Sequence, residues 1–403
     1  MNHNLTTSPF YRIREKDLLY DINLLRDSLT ENWGNFIMGY SVKTNSLPWL
    51  LTYLKKQGFY AEVVSDTEYD LAHRLGFSEN QIIYNGPIKD KKVFETVLIA
   101  GGYVNLDSTD ELAFMEELSA RYPDKTFSIG VRVNCDLAAL CPSEKLAAGE
   151  GGRFGYCYEN GVLKNTIERL QSLPNVKVGG LHLHSSTQSR SVQVYGALAQ
   201  MAVKIAKEYH LSLDYIDMGG GYFGGRNDMP DYRDYFKEIC QVLGTFFEKS
   251  KTTLIAEPGV SLISRATTFE TTVLDKKDIR GQQFIVTNGS RVNLNPQVTR
   301  HVYPHHIEYT SDTSVREKMS SQWICGSTCM EYDRLFEITD DVELLPGDRI
   351  IYDTAGGYTM CLSPLFIHYF PAVIIEKADG TFFTAREAWT NDEYLQKNHW
   401  EGV

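Results

Sequence analysis

The sequence predicts an α/β plus β fold, namely a parallel (β/α)8 TIM barrel followed by a C-terminal β-domain of the β-sandwich or Greek-key type. Two observations support this prediction. From about Trp33 to Pro258, short strand-like runs alternate with amphipathic helical stretches, as parallel strands joined by helices require. After about Thr267 the runs are of the β-type, and turn signals such as Asp-Gly and Asn-Gly separate them, which indicates an all-β domain.

The barrel is predicted from eight strand candidates, which is the number that such a barrel needs. In chain order they are FIMGYSV, AEVV, IIYN, YVNL, FSIGVRVN, VGGLHLH, YIDMGG and TLIAEPG. The helical candidates between them include STDELAFMEELSARY, ENGVLKNTIERLQSL and VYGALAQMAVKIAKEYH. The chemistry of such a barrel lies where its strands end, and polar or glycine-rich residues follow most of these runs.

The β-domain is predicted from FETTVLDKKDI, GQQFIVTNG, DDVELLPGDRIIYDTAGGYT and AVIIEKADGTFFTAR. The N-terminal stretch SPFYRIREKDLLYDINLL precedes the barrel and is expected to contribute a strand to this domain. The predicted organisation is therefore an N-terminal segment at 1–32, a barrel at 33–266 and a β-domain at 267–403.

Composition excludes several classes of partner. The 403 residues include 40 basic and 52 acidic side chains, and the net charge of −12 argues against nucleic acid or an anionic membrane as the main partner. No apolar run reaches the roughly 18 residues that a membrane helix needs. The seven cysteines are odd in number, scattered and without a Cys-x-x-Cys pair, as expected of free thiols in the cytoplasm. We expect a cytoplasmic protein without a metal site.

Lys43 is the first candidate catalytic residue, because it lies between the strand-like run FIMGYSV and a Thr-Asn-Ser turn. A lysine at a strand end is usually a solvated surface residue, so its meaning depends on partners elsewhere. His184 ends the run VGGLHLH, and Glu257 ends TLIAE. A buried glutamate is costly unless a cation or a donor faces it. Three consecutive glycines follow another strand, and their backbone can approach an anion closely: Gly219, Gly220 and Gly221.

One ligand, pyridoxal phosphate, satisfies all of these features. Its aldehyde needs a lysine for a Schiff base, which is the role expected of Lys43. Its phosphate needs backbone donors, which Gly219–Gly221 and Gly259 can supply. Its ring nitrogen must stay protonated to act as an electron sink, so a carboxylate such as Glu257 should face it. His184 can stack against the flat ring. The sequence therefore predicts a pyridoxal-phosphate enzyme.

At these residues the sequence resembles the pyridoxal-phosphate decarboxylases of the alanine-racemase-like fold, which include diaminopimelate, ornithine and arginine decarboxylases. The resemblance covers nearly the whole chain. YSVKTN resembles the lysine motif of the family, and AEVVSDTEYDLAHRLG resembles the segment that follows it. RFG, GLHLHSSTQS, DMGGGY and EPG come next in family order. In the β-domain, CGSTCMEYDRL resembles the cysteine motif and AGGYTM the Gly-Ala-Tyr motif.

The resemblance implies a head-to-tail homodimer with two active sites at the subunit interface. Cys329 and Tyr358 would enter each site from the neighbouring chain. Cys329 would protonate the carbanion left after CO2 departs, or otherwise control its fate, and Tyr358 would help to hold the phosphate. Thr187 occupies the position of a family serine that contacts the phosphate.

The departures from the family pattern concern the substrate. The usual Glu-Pro-Gly-Arg reads EPGV here, so Val260 replaces an arginine. Asn295 stands where diaminopimelate enzymes have an arginine before a proline. Met330 follows the cysteine where an acidic residue normally meets the distal amine of the substrate. Glu331 lies one residue further, on the opposite face if the motif is a strand, although it could still reach the substrate from a loop.

The predicted activity is decarboxylation at the α-carbon of an amino acid or an amino-acid conjugate, with diaminopimelate, lysine and ornithine disfavoured as preferred substrates. An amino-acid racemase of the same fold is the alternative enzyme, and it would need a base on each face of the cofactor ring, for which Tyr358 is a candidate. A non-catalytic pyridoxal-phosphate-binding protein is the alternative from another class. The cysteine motif favours decarboxylation over racemisation, and the large β-domain disfavours a simple carrier.

Overall fold

The computed structural model describes residues 8–142, 144, 152–185, 189–224 and 228–400. Its contacts divide the chain into two compact units. The barrel unit comprises Asp21–Ser261, and the β-unit comprises the N-terminal segment up to Tyr20 together with the chain from Leu262 onward. The division into functional domains at residues 33 and 267 stays a prediction.

The helices and strands have the following bounds. The strands are β1 (Phe10–Arg14), β2 (Phe36–Ser41), β3 (Tyr60–Val63), β4 (Ile82–Tyr84), β5 (Tyr103–Leu106), β6 (Phe127–Asn134), β7 (Tyr156–Cys157), β8 (Val176–His182), β9 (Tyr215–Asp217), β10 (Thr253–Ala256), β11 (Thr267–Ile279), β12 (Gln282–Thr287), β13 (His305–Glu308), β14 (Lys318–Cys325), β15 (Arg334–Val342), β16 (Arg349–Tyr352), β17 (Ala372–Glu376) and β18 (Phe382–Arg386). The helices are α1 (Glu15–Asn32), α2 (Pro48–Lys56), α3 (Asp66–Arg74), α4 (Lys91–Ile99), α5 (Thr109–Arg121), α6 (Leu137–Leu140), α7 (Val162–Gln171), α8 (Val192–Glu208), α9 (Tyr232–Leu243), α10 (Val260–Ile263), α11 (Arg291–Leu294) and α12 (Asn391–Leu395).

The barrel unit contains a closed parallel sheet. Its strands follow one another in the order β2-β3-β4-β5-β6-β8-β9-β10, and β10 pairs with β2 to close the barrel. The predicted (β/α)8 barrel and its eight strands are confirmed. Several strands end earlier than predicted, since β8 ends at His182, β9 at Asp217 and β10 at Ala256. The polar and glycine residues beyond these points leave the sheet and form the loops at its carboxyl end.

Aromatic and aliphatic side chains fill part of the barrel interior. Tyr215 packs in one cluster with Ile83 and Ile255. Its ring takes space that Gly130 and Gly180 leave free, because a Cβ atom built on Gly180 would lie 2.1 Å from the Tyr215 ring. The buried Tyr215 hydroxyl donates to a side-chain oxygen at 2.9 Å, so its polar atom is satisfied. The interior is therefore packed, and chemistry is left to the strand ends.

Capping side chains set where several barrel helices begin. Ser65, Asp90 and Ser191 precede α3, α4 and α8, and each side chain accepts a hydrogen bond from a backbone N–H of the first turn. Such caps satisfy donors that the helix itself leaves unpaired, and each contributes roughly 1 kcal/mol. Each cap lies between a barrel strand and the helix that it starts.

The β-unit is built on one connected sheet. Its main path runs β15-β14-β12-β11-β1-β17-β18, and β16 pairs with both β11 and β13. The N-terminal segment contributes β1, which pairs antiparallel with β11 and parallel with β17. Gly347 of the Pro-Gly-Asp segment and Gly380 of the predicted Asp-Gly turn have positive φ, where glycine is favoured. The C-terminal β-domain is thereby confirmed.

Candidate active site

Lys43 lies in a single 3-10 turn, Val42–Thr44, directly after β2. Its Nζ donates to Oε2 of Glu62 on β3 at 2.6 Å, and the Lys43 side chain remains 41% exposed. The same Glu62 oxygen accepts from the Ser41 hydroxyl at 2.6 Å, and Asn85 donates to its other oxygen at 3.2 Å. Lys43 is thus an accessible amine whose position is set by a buried carboxylate.

Glu62 keeps its charge although it is buried. Burial by itself raises the pKa of this carboxyl group, but the Lys43 ammonium and the hydrogen bonds from Lys43, Ser41 and Asn85 outweigh burial, and the pKa is lowered below its usual value. A charged Glu62 at the end of β3 therefore holds Lys43 at the end of β2.

Glu257 and Asp217 form a buried pair of acids at the ends of β10 and β9. Burial raises the pKa of Glu257 well above its usual range, and the charges of Asp217 and Glu62 raise it further. Burial also raises the pKa of Asp217, to about 7, while hydrogen bonds from Glu257 and the Gly219 backbone act in the opposite direction. We infer that Glu257 is protonated and donates to Asp217 until a cation faces the pair.

Two buried asparagines connect this acid pair to Glu62. Asn85 donates to Oε1 of Glu257 at 2.7 Å as well as to Glu62. Asn105 donates to Oδ1 of Asn85 at 2.9 Å and to Oδ2 of Asp217 at 3.1 Å. The backbone N–H of Gly219 donates to Oδ1 of Asp217 at 2.9 Å. One hydrogen-bonded network therefore links Lys43 to both acids.

Two histidines lie beside the acids with nearly parallel rings. The ring centroids of His182 and His184 are 6.3 Å apart and their planes differ by 14°. Burial, followed by the positive charge of Arg132, lowers the pKa of His184 to about 3 and that of His182 well below its usual value. Both rings are therefore neutral at pH 7, and a neutral imidazole can pack flat against another ring. Nε2 of His182 lies 3.7 Å from Oε2 of Glu257.

The glycine turn after β9, Gly219–Gly221, packs closely against His184 and against the backbone of Glu257. Gly219 and Gly221 have φ of +62° and +87°, a backbone conformation that other residues rarely adopt. A Cβ atom on Gly219 would lie 2.7 Å from His184, and one on Gly220 would lie 2.2 Å from the carbonyl oxygen of Glu257. Near the Lys43 turn, a Cβ atom on Gly259 would lie 2.0 Å from the Thr44 hydroxyl. These glycines allow backbone approaches that no side chain would permit.

The predicted site residues of the β-unit lie in loops. Cys329, Met330 and Glu331 lie between β14 and β15, so the motif is a loop and not a strand. Cys329 is exposed, Met330 is half-buried and the Glu331 side chain is 97% exposed. The loop is anchored by the buried Asp333, which accepts from the Thr328 hydroxyl at 2.6 Å. Asp333 also accepts from the Ser290 hydroxyl at 3.0 Å and from the backbone N–H of Arg291, the first residue of α11, at 2.8 Å.

Tyr358 is partly exposed and has a positive φ of 55° in the loop after β16. Asn295 is buried, and its amide makes four hydrogen bonds within its own segment, to residues 299–303. Thr187 lies outside the described residues. The roles assigned to these three residues stay predictions.

Glu62, Asn85 and His182 were not singled out from the sequence, although each lies at a strand end or directly after one. That position was the available signal: Glu62 is in AEVV, Asn85 ends IIYN, and His182 precedes His184 by two residues. His182, Asp217 and Glu257 also present ligand atoms within 4.8 Å of one another, a grouping that could hold a metal ion. The expectation that no metal is bound stays a prediction.

These residues fit pyridoxal phosphate. The strongest point is the acid pair, because two buried carboxyl groups with raised pKa values are stabilised by a cation, and a protonated pyridine ring is a flat cation. The Lys43 amine suits the aldehyde, the glycine turn suits the phosphate and the neutral His184 ring suits the face of the pyridine. A (β/α)8 barrel with these strand ends defines a pyridoxal-phosphate enzyme of the alanine-racemase-like fold.

Comparison with known proteins agrees with this class. Residues 21–264 match the family described as pyridoxal-dependent decarboxylase, pyridoxal binding domain. The chain belongs to the pyridoxal-dependent decarboxylases, its cofactor is pyridoxal phosphate and its activity class is that of a carboxy-lyase acting on amino acids.

Individual relatives are distant but cover most of the chain. L-glutamyl-[BtrI acyl-carrier protein] decarboxylase from Niallia circulans is 25% identical over 88% of this chain and 86% of its own length. Diaminopimelate decarboxylase from Bacteroides thetaiotaomicron is 25% identical over 87% of this chain and 90% of its own length. A crystal structure of diaminopimelate decarboxylase from M. jannaschii superposes with a TM-score of 0.85 at 22% identity, covering 98% of this chain and 93% of that chain.

One further observation concerns membranes. Among the described residues, none of the helices combines the length and the apolar character that crossing a bilayer requires.

Proposed function

We propose that this protein removes the α-carboxylate of an amino acid or amino-acid conjugate, and that neither diaminopimelate nor ornithine is its preferred substrate. The observation that supports this most is a contrast between the two sets of residues. The network around Lys43 and Glu257 supplies the amine and the buried acid that the cofactor needs, whereas by the resemblance Met330 and Asn295 replace residues that recognise diamino acids. The relative from Niallia circulans supports the conjugate, because its name describes a glutamyl group carried by a protein.

The cofactor residues have the following proposed roles. Lys43 binds the cofactor aldehyde and Glu62 orients its amine. When the cofactor is bound, Glu257 carries a negative charge opposite the ring nitrogen. Without a cation there, Glu257 is protonated and Asp217 accepts the hydrogen bond from its carboxyl proton. His184 packs against the ring. The phosphate is held by Gly219–Gly221 and Gly259, together with Thr187 and, from a neighbouring chain, Tyr358.

When bound, pyridoxal phosphate accepts the electron pair that the departing CO2 leaves on the α-carbon. The protein's residues stabilise the charge on the cofactor ring and supply the proton that replaces CO2. Glu257 keeps the ring nitrogen protonated, because burial makes an ionised carboxylate there stable only beside a cation. Cys329 from a neighbouring chain, or Lys43, then delivers a proton to the α-carbon, so that CO2 is the only group lost. We therefore propose a homodimer with shared sites, working in the cytoplasm.

Substrate selection is assigned to the loops of the β-unit. Met330 presents an apolar side chain where an acid would attract a distal amine. Glu331 lies in the same loop, and a loop residue can reach a ligand without the alternation of a strand. Asn295 is proposed as a third contributor to the substrate side of the site. These changes together favour a substrate without a free distal amine.

A screen for CO2 release tests the proposal. Purified protein with added cofactor is offered free amino acids, among them diaminopimelate, ornithine, lysine and glutamate, and amino acids that are conjugated through the side chain and keep a free α-amine, which the cofactor aldehyde requires. We expect the highest kcat/KM with a conjugate. Met330→Asp should shift the preference toward diamino acids, because it restores an acid beside Cys329. Preferred turnover of free diaminopimelate or ornithine would contradict the substrate assignment, and loss of chirality without CO2 release would indicate a racemase.

A further inference from the structure

The glycine turn after β9 is held in place by two carbonyl oxygens and is exposed at its last glycine. Gly219 and Gly220 are buried, whereas Gly221 is exposed and therefore open to a ligand. The Gly219 carbonyl oxygen accepts from the backbone N–H of Glu257 at 2.8 Å. The Gly220 carbonyl oxygen accepts from the hydroxyl of Tyr195 in α8 at 2.9 Å. The end of β10 and helix α8 thus each hold one peptide group of the turn.

The Tyr195 hydroxyl sets the direction of the N–H group that follows. A trans peptide group is planar, and its C=O and N–H point in opposite directions. The Gly220 carbonyl and the Gly221 N–H belong to one such group, so a carbonyl that faces Tyr195 directs this N–H away from Tyr195. The Gly221 N–H donates to no acceptor among the residues that the structure describes. It is therefore available to a ligand.

Tyr195 belongs to an aromatic cluster of five buried rings beside the turn. The ring centroids of Tyr195 and Tyr222 are 4.8 Å apart, and the Tyr235 ring meets Tyr195 edge-on at 4.9 Å. Tyr232 and Phe236 complete the cluster. Packing of the ring fixes where its hydroxyl lies, and burial raises the pKa of Tyr195 above its usual value, so the hydroxyl keeps the proton that it donates.

Tyr232 provides a comparison within the aromatic cluster. Its hydroxyl is also buried, and it donates to Oγ of Ser261 at 2.7 Å, which is not part of the glycine turn. Tyr195→Phe and Tyr232→Phe remove the same atom from the same cluster and keep both rings. Tyr195→Phe removes a hydrogen bond to the turn as well, so Tyr232→Phe is a matched control.

We propose that Tyr195 is a positioning residue for the cofactor phosphate, because its hydroxyl holds the Gly220 carbonyl and thereby directs the Gly221 N–H toward the phosphate. Without this hydroxyl the peptide group between the two glycines takes other orientations, and the fraction of protein that is ready to bind a phosphate falls. The affinity for a phosphate falls by the same factor. Loss of a neutral hydrogen bond corresponds to a factor of roughly three to ten. The inference rests on the proposed function, which assigns the phosphate to Gly219–Gly221.

Binding of two unreactive probes tests the proposal without turnover. Pyridoxine phosphate and pyridoxine lack the aldehyde that reacts with Lys43, and they differ from each other only in the phosphate. Calorimetric titration of the cofactor-free protein gives the ratio of their affinities, which reports the contribution of the phosphate. Tyr195→Phe should lower this ratio roughly three- to tenfold and leave the affinity for pyridoxine unchanged. Tyr232→Phe should keep the wild-type ratio.

Two results would overturn the proposal. An unchanged ratio in Tyr195→Phe, even with weaker binding of both probes, would show that the hydroxyl does not act on the phosphate. An equal decrease in Tyr232→Phe would assign the effect to packing of the aromatic cluster. If Tyr195→Phe does not fold, hydrogen exchange of the wild-type protein tests the proposal. Pyridoxine phosphate should then slow exchange of the Gly221 amide more than pyridoxine does, and equal exchange with both probes would count against the role of this N–H.

Gly221→Ala separates this inference from the phosphate assignment on which it rests. Gly221 has a φ of +87°, and a Cβ atom there would lie 3.1 Å from the Tyr195 hydroxyl, so the substitution disturbs the turn directly. A lowered ratio in Gly221→Ala together with a wild-type ratio in Tyr195→Phe would retain the phosphate assignment and refute the role of Tyr195. Wild-type ratios in both variants would refute the phosphate assignment as well.

Discussion

Glu257→Gln is the change that most directly tests the electrostatics of the cofactor site. In the cofactor-free protein Glu257 and Asp217 are both buried with raised pKa values, so the folded state holds protons that the unfolded chain releases above about pH 4 to 5. A folded state that binds more protons than the unfolded state becomes less stable as the pH rises. The wild-type protein should therefore lose stability between pH 5 and pH 7, where the folded state still binds these protons and the unfolded chain no longer does.

The size of the effect follows from proton linkage. One additional bound proton changes the free energy of unfolding by about 1.4 kcal/mol for each pH unit, so one proton over two pH units amounts to about 3 kcal/mol. Glu257→Gln removes one of the two acids and keeps a donor for Asp217, because the amide can replace the carboxyl proton. The variant should lose about 3 kcal/mol less than the wild type between pH 5 and pH 7.

Urea unfolding of the cofactor-free wild-type and Glu257→Gln proteins at pH 5, 6 and 7 measures this difference. Glu68→Gln is a positive control for the size of the effect, because burial raises the pKa of this carboxyl group to about 7 as well, and its carboxylate accepts from the backbone N–H of Val64, ahead of α3. Its removal should likewise reduce the loss of stability between pH 5 and pH 7 by about 3 kcal/mol. Equal pH dependence in wild type and Glu257→Gln would refute the shared-proton pair. With cofactor present, Glu257→Gln should still bind it and decarboxylate far more slowly.

Three further predictions concern the assembly of the site. Borohydride reduction of the cofactor-loaded protein should fix the pyridoxyl group on the peptide that contains Lys43, and a label on the buried Lys89, which pairs with Glu111, would end that assignment. Glu62→Gln should weaken cofactor binding roughly 10- to 100-fold, since a hydrogen bond between charged groups contributes about 1.5–3 kcal/mol, and unchanged affinity would contradict the orienting role. Mixing inactive Lys43→Ala and Cys329→Ala chains should restore about a quarter of the sites if the two residues come from different chains of a two-fold dimer, whereas a mixture that stays inactive after verified exchange would refute shared sites.

Much of the barrel and several candidate site residues were predictable from the sequence because they depend on local features. Alternation of apolar runs with amphipathic helices depends on near neighbours, and it placed all eight barrel strands. Lys43, His184 and Glu257 were found because each comes directly after a run of strand residues, and the ends of parallel strands meet at one edge of a barrel. The glycine turn was found because a run of glycines is visible without any tertiary information.

Other parts of the fold depend on interactions that the local pattern does not contain. The strands β13, β14 and β15 were not predicted, since stretches such as KMSSQWIC and RLFEITDDV interrupt their apolar residues with polar and charged ones. Their pairing across the sheet supplies the missing stabilisation, with β14 antiparallel to β15 and parallel to β12. Because these pairings end β14 at Cys325 and begin β15 at Arg334, the segment that contains Cys329 is a loop.

The sequence by itself determined the class of fold, the cofactor and the order of the motifs along the chain, because these follow from periodicity and from residue types at strand ends. Only the tertiary structure decided which side chains act together. Glu62, Asn85, Asp217 and Glu257 are separated by up to 195 residues, the difference between positions 257 and 62. They form one hydrogen-bonded network because closure of the barrel brings β10 beside β2, and contacts of that kind depend on the whole chain having folded.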